Sequence, residues 1–330
     1  MSSRMVKSQS TLTRHGDVWQ VRVPLPFPLR WVNGYLLPGE AGWTLIDPGL
    51  RTPDAEQVWE AALDELGLSF KQLERIVLTH HHPDHYGLAG WLQQRSDAKV
   101  FISRTGAELV SKLWGEGTPM NEQLLDVFRA HGLPSELEAP MLEHMVSFVP
   151  MVSPQPELSF IPLEEPFRLG DGWYKPILTP GHAAGHLCFY QEETKAMFCG
   201  DHVLPQISPN VSYLPGGIDE NPLASYLASL AAVSTLEVSI AYPGHREPFH
   251  RFGDRARELL AHHEDRLAAM EAAVVQPATA YDICRASFGF ELSYHQLRFA
   301  LAETIAHMIW LQVEGRVTAQ ERAGVLLYER

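Results

Sequence analysis

Hydrophobic and polar positions alternate in short segments over the first fifty residues, after a polar start. Residues 19–23, 31–37 and 43–46 each have the apolar and aromatic composition of a strand. Gly39 and Gly42 lie between the last two segments and mark a turn. This part of the chain therefore predicts consecutive strands.

Helical spacing then appears and alternates with further strands. Residues 53–66 carry apolar side chains at Val58, Ala62 and Leu66, and the pattern stops at Gly67. Residues 75–78 form a short apolar run that predicts a buried strand, a helix begins near Tyr86, and residues 99–102 predict another strand. Short strands that alternate with helices indicate an α/β layered fold.

Residues 105–147 interrupt this alternation and predict a mostly helical insertion. Strands resume at 158–162, 173–178, 187–191 and 196–199, followed by a helix at 223–234 and a strand that ends at Tyr242. The insertion is rich in large apolar side chains: Leu109, Leu113, Trp114, Met120, Leu124, Leu125, Phe128, Met141 and Met145, with Phe148 just beyond. Such spacing normally means core, but a cap over a site and a homodimer interface both fit an insertion.

The last part of the chain predicts a small additional domain. Residues 254–273 read as a charged connector helix, and Thr279-x-x-Asp282 resembles a helix-starting box. A long amphipathic helix through Leu297 and Met308 follows, and then a hairpin within 317–328. We expect a main domain at 11–252, a connector at 253–275 and a winged-helix-like domain at 276–330.

Composition narrows the class of protein. The chain has 330 residues, 45% of them hydrophobic, three cysteines, and a formal net charge of −14. An acidic surface disfavours nucleic acids and anionic membranes as partners. The few cysteines suit a reducing compartment, and neither a signal-length nor a membrane-spanning apolar run is present. We expect a soluble cytoplasmic protein that does not associate with membranes.

The strongest chemical signal is the run from Thr79 to His85. It places four candidate metal ligands, His80, His82, Asp84 and His85, between an apolar strand and a helix. Alternation along an extended segment puts His80 and His82 on one side and His81 on the other. Imidazole and carboxylate groups suit zinc or iron, so this run predicts a metal site.

Three further candidates follow apolar strands and glycine-containing turns. They are His182 after Gly181, Asp201 after Gly200 and His245 after Gly244. A scaffold presents side chains at the edge of a sheet in this way. Each is weak alone, but with the first run they form a strong constellation.

Residues 19–249 resemble the metallo-β-lactamase superfamily, through its His-x-His-x-Asp-His signature and its later His, Asp and His motifs. The resemblance implies a four-layer αββα sandwich with two divalent metal ions, zinc or iron, at one edge. It also implies that Asp47 orients the ligands. One metal would be held by His80, His82 and His182, the other by Asp84, His85 and His245, with Asp201 between the two.

The resemblance further implies a hydrolase, in which a metal-bridging hydroxide attacks a carbonyl or phosphoryl group. Asp84 is a candidate for moving a proton to the leaving group, with pure ligation as the alternative. His202 could contact the substrate or pack behind Asp201. Tyr213 could hydrogen-bond an oxyanion or lie at the surface. His186 is expected to hydrogen-bond locally, His262 and His263 to be solvated, and Cys199 to be a buried strand thiol.

Fold alone does not select a substrate. The acidic surface and the apolar insertion favour a small thioester, ester or lactone with an apolar portion. The winged-helix-like tail resembles a branch that includes an endoribonuclease, so cleavage of single-stranded RNA is the alternative. From Arg251 onward there are nine Arg and eleven acidic residues, a net charge of −2 (9 − 11 = −2). This charge weakens the hypothesis of RNA cleavage. A non-enzymatic regulator that kept the metal site is a third reading. The tail could also close one side of a substrate pocket or mediate dimerisation.

Overall fold

The computed structural model of the chain describes residues 11–115, 117 and 119–330. Its first half forms a sheet of seven strands in sequence order from β1 to β7. The first four strands are antiparallel, and the later pairs from β4 to β7 are parallel. The strands are β1 (Leu12–His15), β2 (Val18–Pro24), β3 (Trp31–Leu37), β4 (Trp43–Ile46), β5 (Leu73–Val77), β6 (Lys99–Ile102) and β7 (Leu158–Phe160).

A second sheet has five strands in the order β12-β11-β10-β9-β8. The pair β11–β12 is parallel, while β8, β9, β10 and β11 are successively antiparallel. Strands β9, β11 and β12 therefore run in the same direction and end at the same edge. The strands are β8 (Phe167–Leu169), β9 (Gly172–Leu178), β10 (Leu187–Gln191), β11 (Ala196–Gly200) and β12 (Ile240–Pro243).

Helices cover the outer face of each sheet. The first group is α1 (Pro53–Glu65), α2 (Pro83–Tyr86), α3 (Ala89–Ser96) and α4 (Arg104–Trp114). The second is α5 (Pro119–Ala130), α6 (Ser135–Val146), α7 (Pro222–Val233), α8 (Phe252–Ala273), α9 (Ala280–Phe288) and α10 (Tyr294–Val313). A hairpin of β13 (Thr318–Arg322) and β14 (Val325–Glu329) ends the chain.

Three apolar clusters separate four layers. Side chains such as Tyr35, Phe189 and Phe198 fill the space between the two sheets. Trp59 belongs to the cluster between the first sheet and its helices, and Tyr226 to the cluster on the outer side of the second sheet. A sheet that buries both faces needs a helical layer on its outer side. The predicted four-layer αββα architecture is confirmed.

The helical insertion is confirmed as α4, α5 and α6. The first turn of α9 has the predicted capping box, in which Thr279 Oγ1 accepts from the Asp282 amide and the Asp282 carboxylate accepts from the Thr279 amide. The helices and the terminal hairpin occur in the predicted order. Assignment of this part as a winged helix stays a prediction.

Two details of the helices differ from the sequence prediction. Helix α10 is buried on nearly all sides over its middle turns, from Ala300 to Met308, rather than amphipathic. His263 of α8 is fully buried and hydrogen-bonds His307 of α10 at 3.1 Å, so the prediction that it is solvated was wrong. Both differences arise because α10 is packed between α8, α9, α7 and α6.

Candidate metal centre

Each predicted ligand lies just after the carboxyl end of a strand. The run from His80 to His85 follows β5 of the first sheet, while His182, Asp201 and His245 follow β9, β11 and β12 of the second. The Leu187 amide of β10 donates to Thr79 O at 2.9 Å across the sandwich, and Gly244 N donates to Gly200 O at 2.7 Å within the second sheet. The fold thus brings all seven predicted ligands to one edge.

Three histidine rings converge on one point. His82 Nδ1 lies 3.0 Å from both His80 Nε2 and His182 Nε2, and those two nitrogens are 3.3 Å apart. Burial lowers the pKa of all three rings, so they are neutral at pH 7. Neutral imidazole nitrogens are the form that binds zinc or iron.

A second group of ligands adjoins the first. His245 Nε2 is 3.3 Å from both Asp84 Oδ2 and Asp201 Oδ2, and His85 Nε2 is 3.4 Å from Asp201 Oδ1. Asp201 Oδ2 is also 3.7 Å from His182 Nε2 of the first group. Asp201 therefore lies between the two groups, in the position expected of a bridging carboxylate.

Hydrogen bonds behind the rings fix which nitrogen faces the site. His85 Nδ1 donates to Asp47 Oδ2 at 2.9 Å, and His182 Nδ1 and His245 Nδ1 donate to the carbonyl oxygens of Asn210 (2.7 Å) and Trp31 (3.0 Å). Because these partners only accept, each Nδ1 carries the proton and each Nε2 is directed at the site.

Asp47 is the centre of the supporting network. Its Oδ1 accepts from Thr79 N at 2.8 Å and its Oδ2 from Thr79 Oγ1 at 2.6 Å, in addition to the bond from His85. Since the Thr79 hydroxyl proton is used on Asp47, Thr79 Oγ1 accepts from His80 Nδ1, at 2.9 Å. One carboxylate thereby reaches a ring in each ligand group, His85 directly and His80 through Thr79.

Close packing explains the glycines beside two ligands. A Cβ on Gly244 would lie 2.2 Å from Asp201 Oδ1, and one on Gly200 would lie 2.6 Å from His186 Nε2. Gly200 also has φ of 45°, which a glycine adopts without strain. A side chain at Gly244 would displace Asp201, and one at Gly200 would displace His186, which hydrogen-bonds the Asp201 amide.

The two groups differ in charge. Burial alone would lower the pKa of His85 and of His245, but the Asp201 carboxylate beside each ring raises it, to about 10 for His245. In the same way, His245 and His85 hold the pKa of Asp201 well below its usual range against the effect of burial. Without cations, protons on the second group balance the carboxylates.

The donor set fits two divalent cations. His85 Nε2, His245 Nε2 and Asp201 Oδ1 are buried without a hydrogen-bond partner among the described residues. Three neutral nitrogens at 3.0–3.3 Å cannot all be satisfied by protons. That spacing is close to the spacing of ligands around a tetrahedral ion with bonds of ~2.0–2.1 Å. Two sets of three donors that could each hold a metal, His80 with His82 and His182, and Asp84 with His85 and His245, match the predicted sets.

A cavity of about 260 Å³ opens onto this centre. His82, Asp84, His182, Asp201 and His245 form its polar floor. Its walls are mainly apolar and come from the insertion, from the segment after β11 and from α10; they include Leu109, Leu113, Trp114, Leu124, Phe148, Leu204, Leu214, Phe299 and Ala302. Its size is near the lower end of the range for small-molecule sites, roughly 300–1,000 Å³.

The structure places the other predicted site residues at different distances from this cavity. Asp84 belongs to its polar floor, with 21% of the side chain exposed. His202 is fully buried outside the cavity lining, its ring 5.3 Å from that of Tyr226, which is the packing alternative of the prediction. Tyr213 is also outside the lining; it packs against the apolar cluster on the second sheet, and its backbone amide donates to Ala302 O at 3.1 Å.

Two further predictions about neighbouring residues are confirmed. His186 hydrogen-bonds Thr179 Oγ1 at 2.8 Å and accepts from the Asp201 amide at 3.2 Å, which steadies the bridging residue. Cys199 is a buried thiol in β11.

Sequence reasoning missed four polar residues of the cavity wall, His81, Asp219, His295 and Arg298. His81 was assigned to the opposite side by strand alternation, but β5 ends at Val77, so that alternation does not extend to it. His295 and Arg298 share a face of α10, three residues apart. Their spacing was the available signal, and it needed the knowledge that α10 borders the cavity.

A two-sheet sandwich with paired His and Asp ligand groups at one edge defines a class of metallo-hydrolase. The chain belongs to the metallo-beta-lactamase superfamily, whose family model matches residues 30–245. A second model, for the C-terminal domain of metallo-beta-lactamase-like proteins, matches residues 267–330. The protein is therefore an enzyme of a metallo-hydrolase superfamily, as the motifs predicted.

Similar proteins span almost the whole chain. A Bacillus subtilis (strain 168) protein named "Probable metallo-hydrolase YqjP" is 29% identical over 330 residues, covering 95% of this chain and 98% of its own. A metallo-beta-lactamase family protein of Thermus thermophilus has 35% identity and a TM-score of 0.83, covering 95% of this chain and 98% of its own. A beta-lactamase domain protein of Burkholderia ambifaria has 29% identity and a TM-score of 0.83, covering 97% of this chain and 94% of its own.

None of the helices in the described part of the chain has the length and apolar character required to cross a bilayer.

Proposed function

We propose that the protein is a dinuclear metal-dependent hydrolase of a small thioester, ester or lactone that has an apolar portion. The observation that carries this proposal is the mainly apolar cavity that ends on the two ligand groups. A substrate whose apolar part fills the walls would present its carbonyl group to the polar floor. A cavity of this size with mainly apolar walls suits a small molecule better than a polymer.

In this proposal the helical insertion forms a cap over the cavity. Leu109, Leu113 and Trp114 of α4 and Leu124 of α5 contribute to the cavity wall. Trp114 Nε1 donates to His81 O at 3.1 Å, which anchors the end of α4 to the ligand-bearing run. This wall would exclude water from the carbonyl group of the substrate. Charge interactions at that group are stronger because the surrounding medium has a lower dielectric constant.

The ligand groups fit two divalent cations, for which we propose zinc. When bound, such cations lower the pKa of a coordinated water and polarise a carbonyl oxygen. The residues of the chain position both reactants: Asp201 faces both ligand groups, and Asp84 borders the cavity. In hydrolysis a carbon–oxygen bond forms and the carbon–sulfur or carbon–oxygen bond to the leaving group breaks. The Asp84 carboxylate takes the proton that the water loses and delivers it to the leaving thiolate or alkoxide.

A hydrolysis panel combined with metal analysis tests the proposal. Purified protein loaded with zinc is assayed with acyl thioesters, aryl esters, lactones and short single-stranded RNA. We expect thiol, alcohol or hydroxy-acid release from the small substrates and about two zinc ions per chain. Asp201→Ala should abolish turnover and lower the metal content, while the same change at Asp17, an exposed carboxylate outside both ligand groups, should change neither.

Cleavage of RNA that weakens strongly with salt, without turnover of the small substrates, would replace the proposal with the endoribonuclease alternative. Full activity in Asp201→Ala would contradict the ligand assignment itself.

A further inference from the structure

One part of the cavity wall carries nitrogen atoms that have no partner. Arg298 Nε, His295 Nδ1 and both ring nitrogens of His81 are buried and lack a hydrogen-bond partner among the described residues. The side chain of His81 is only 1% exposed. Arg298 Nε is a donor, and each neutral imidazole offers one N–H donor and one acceptor nitrogen. Because unsatisfied buried polar atoms cost free energy, a cluster of them at one place in a cavity indicates a ligand that supplies hydrogen-bond partners. We call His81, His295 and Arg298 the recognition cluster.

Arg298 brings to the cavity a charge without an ion-pair partner in the described part of the chain. No carboxylate there lies within 4.0 Å of its guanidinium and no acceptor hydrogen-bonds its Nε, while the guanidinium packs over the Phe299 ring, 4.8 Å from the centroid. Arg266, by contrast, also lies next to α10 and pairs with Glu303 at 3.0 Å. Burial lowers the pKa of Arg298 only to about 10, so it is cationic at pH 7.

Packing holds the cluster in place before any ligand binds. His295 stacks on Phe27 with ring centroids 4.7 Å apart and an angle of 8° between the planes. His295, Arg298, Phe299 and Ala302 line the cavity at the i, i+3, i+4 and i+7 positions of one face of α10. Preformed donors on a rigid helix bind a ligand at a low cost in conformational entropy.

We propose that the recognition cluster binds a carboxylate of the substrate, so that the enzyme hydrolyses thioesters, esters or lactones that carry a second, anionic group. This proposal rests on the proposed function, because it places the scissile carbonyl at the metal centre and the carboxylate on Arg298. A guanidinium matches a carboxylate with two parallel hydrogen bonds, and the imidazole groups add further donors.

The charge of the cluster favours a carboxylate over a phosphate. Burial and the neighbouring His144 lower the pKa of His295 to about 4, so that ring is neutral at pH 7 and Arg298 supplies the positive charge. One guanidinium balances a monoanion, whereas a phosphate monoester with nearly two charges would stay undercompensated. The surrounding apolar wall strengthens the pairing because it excludes water.

Matched substrates test the proposal. The assay compares three thioesters of N-acetylcysteamine. Their acyl chains end in a carboxylate, in the corresponding primary amide, or in a phosphate. We expect kcat/KM to be highest for the carboxylate, and Arg298→Met to lower it roughly 10- to 100-fold with little change for the amide. Arg298→Lys should recover part of the loss. Arg322→Met, the same change on the exposed terminal hairpin, should leave kcat/KM unchanged for both substrates.

Equal losses for the carboxylate and the amide in Arg298→Met would overturn the proposal, because Arg298 would then act on the metal centre or on folding. A phosphate preferred over the carboxylate, and lost in Arg298→Met, would also overturn it in favour of phosphate recognition.

A binding measurement separates this proposal from the proposed function. The thioether analogue of the carboxylate substrate, in which CH2 replaces the carbonyl group, cannot be hydrolysed. Calorimetry should show that it binds zinc-loaded wild-type protein about 10-fold or more tightly than Arg298→Met. Arg298-dependent binding without turnover of any thioester, ester or lactone would contradict the proposed reaction but keep the recognition of carboxylates. Turnover of these substrates, together with binding of the analogue that does not depend on Arg298, would support the proposed reaction and contradict the recognition of a carboxylate by Arg298.

Discussion

The Asp47 carboxylate illustrates how one residue can organise a metal centre that it does not face. It accepts three hydrogen bonds, two from Thr79 and one from His85, and it reaches His80 through the Thr79 hydroxyl. Asp47 has φ of 52°, a left-handed conformation in which Asp and Asn are the best tolerated residues after glycine. Asparagine at this position therefore keeps the backbone and changes only the hydrogen bonds.

Asp47→Asn should lower metal affinity roughly 10- to 100-fold, the usual effect of removing a group that supports metal-binding histidines. The side-chain nitrogen of asparagine would replace one acceptor oxygen. Two donors would then face each other, either at the Thr79 amide or at His85 Nδ1. Competition with a chromophoric chelator measures the affinity, and Asp17→Asn serves as the control. Unchanged affinity would mean that the ring orientations are set by packing alone.

The metal ligands could be predicted from the sequence because their signal is local. Each of His182, Asp201 and His245 follows an apolar strand and a glycine, and the run from His80 supplies the rest. His81 could not be placed in this way, since the residues after β5 no longer alternate as a strand does. Arg298 lies 97 positions beyond Asp201 in the sequence, and only tertiary packing brings its helix to the cavity.

At the scale of elements, α10 connects the terminal domain to the metal centre. Glu303 Oε2 accepts from Asn210 Nδ2 at 2.6 Å, and the Asn210 carbonyl accepts from His182 Nδ1 at 2.7 Å. Arg266 of α8 closes the chain of contacts at Glu303. The sequence predicted the helix but not this role, because a polar residue amid apolar neighbours resembles a solvent-facing position until both flanking layers are known.

Glu303 should make stability depend on pH. Burial raises its pKa to about 7, against the effect of Arg266, from an ordinary value of 4.5. Between these values the folded state keeps a proton that the unfolded state loses, so the free energy of unfolding falls as pH rises. Relative to Glu303→Gln, the wild type should lose ~3 kcal/mol from about pH 4.5 to about pH 7. Denaturant unfolding at several pH values measures this difference, and parallel curves for the two proteins would refute it.

At the scale of the whole molecule, the ligands belong to both sheets. Four follow β5 in the first sheet and three follow β9, β11 and β12 in the second. The unfolded chain does not present this arrangement, so bound cations stabilise the folded state. The layered architecture was predictable from the alternation of elements, but the pairing between sheets was not, because it depends on contacts between residues far apart in sequence.

Removal of metal should therefore lower the melting temperature. At free metal roughly 1,000-fold above the Kd, one ion adds about 4 kcal/mol to the free energy of unfolding. The protons on His85 and His245 compete with the metal below their raised pKa values, about 10 for His245, so the stabilisation should grow from about pH 6 to about pH 9. Calorimetry with and without a chelator measures both effects. Asp201→Ala, which keeps the three-histidine group, should show a smaller stabilisation, and a pH-independent stabilisation of the wild type would contradict the assignment of the second ligand group.

The position of α10 along the cavity has an evolutionary consequence. The residues that would cleave the bond are complete by His245, whereas His295, Arg298 and Phe299 are encoded some fifty positions later. Mutations or exchanges confined to the last quarter of the gene could redirect the enzyme to a new compound while the cleavage machinery stays intact. Relatives that keep every ligand and vary along this one helical face would then be expected to differ in the compounds they accept rather than in the bond they break.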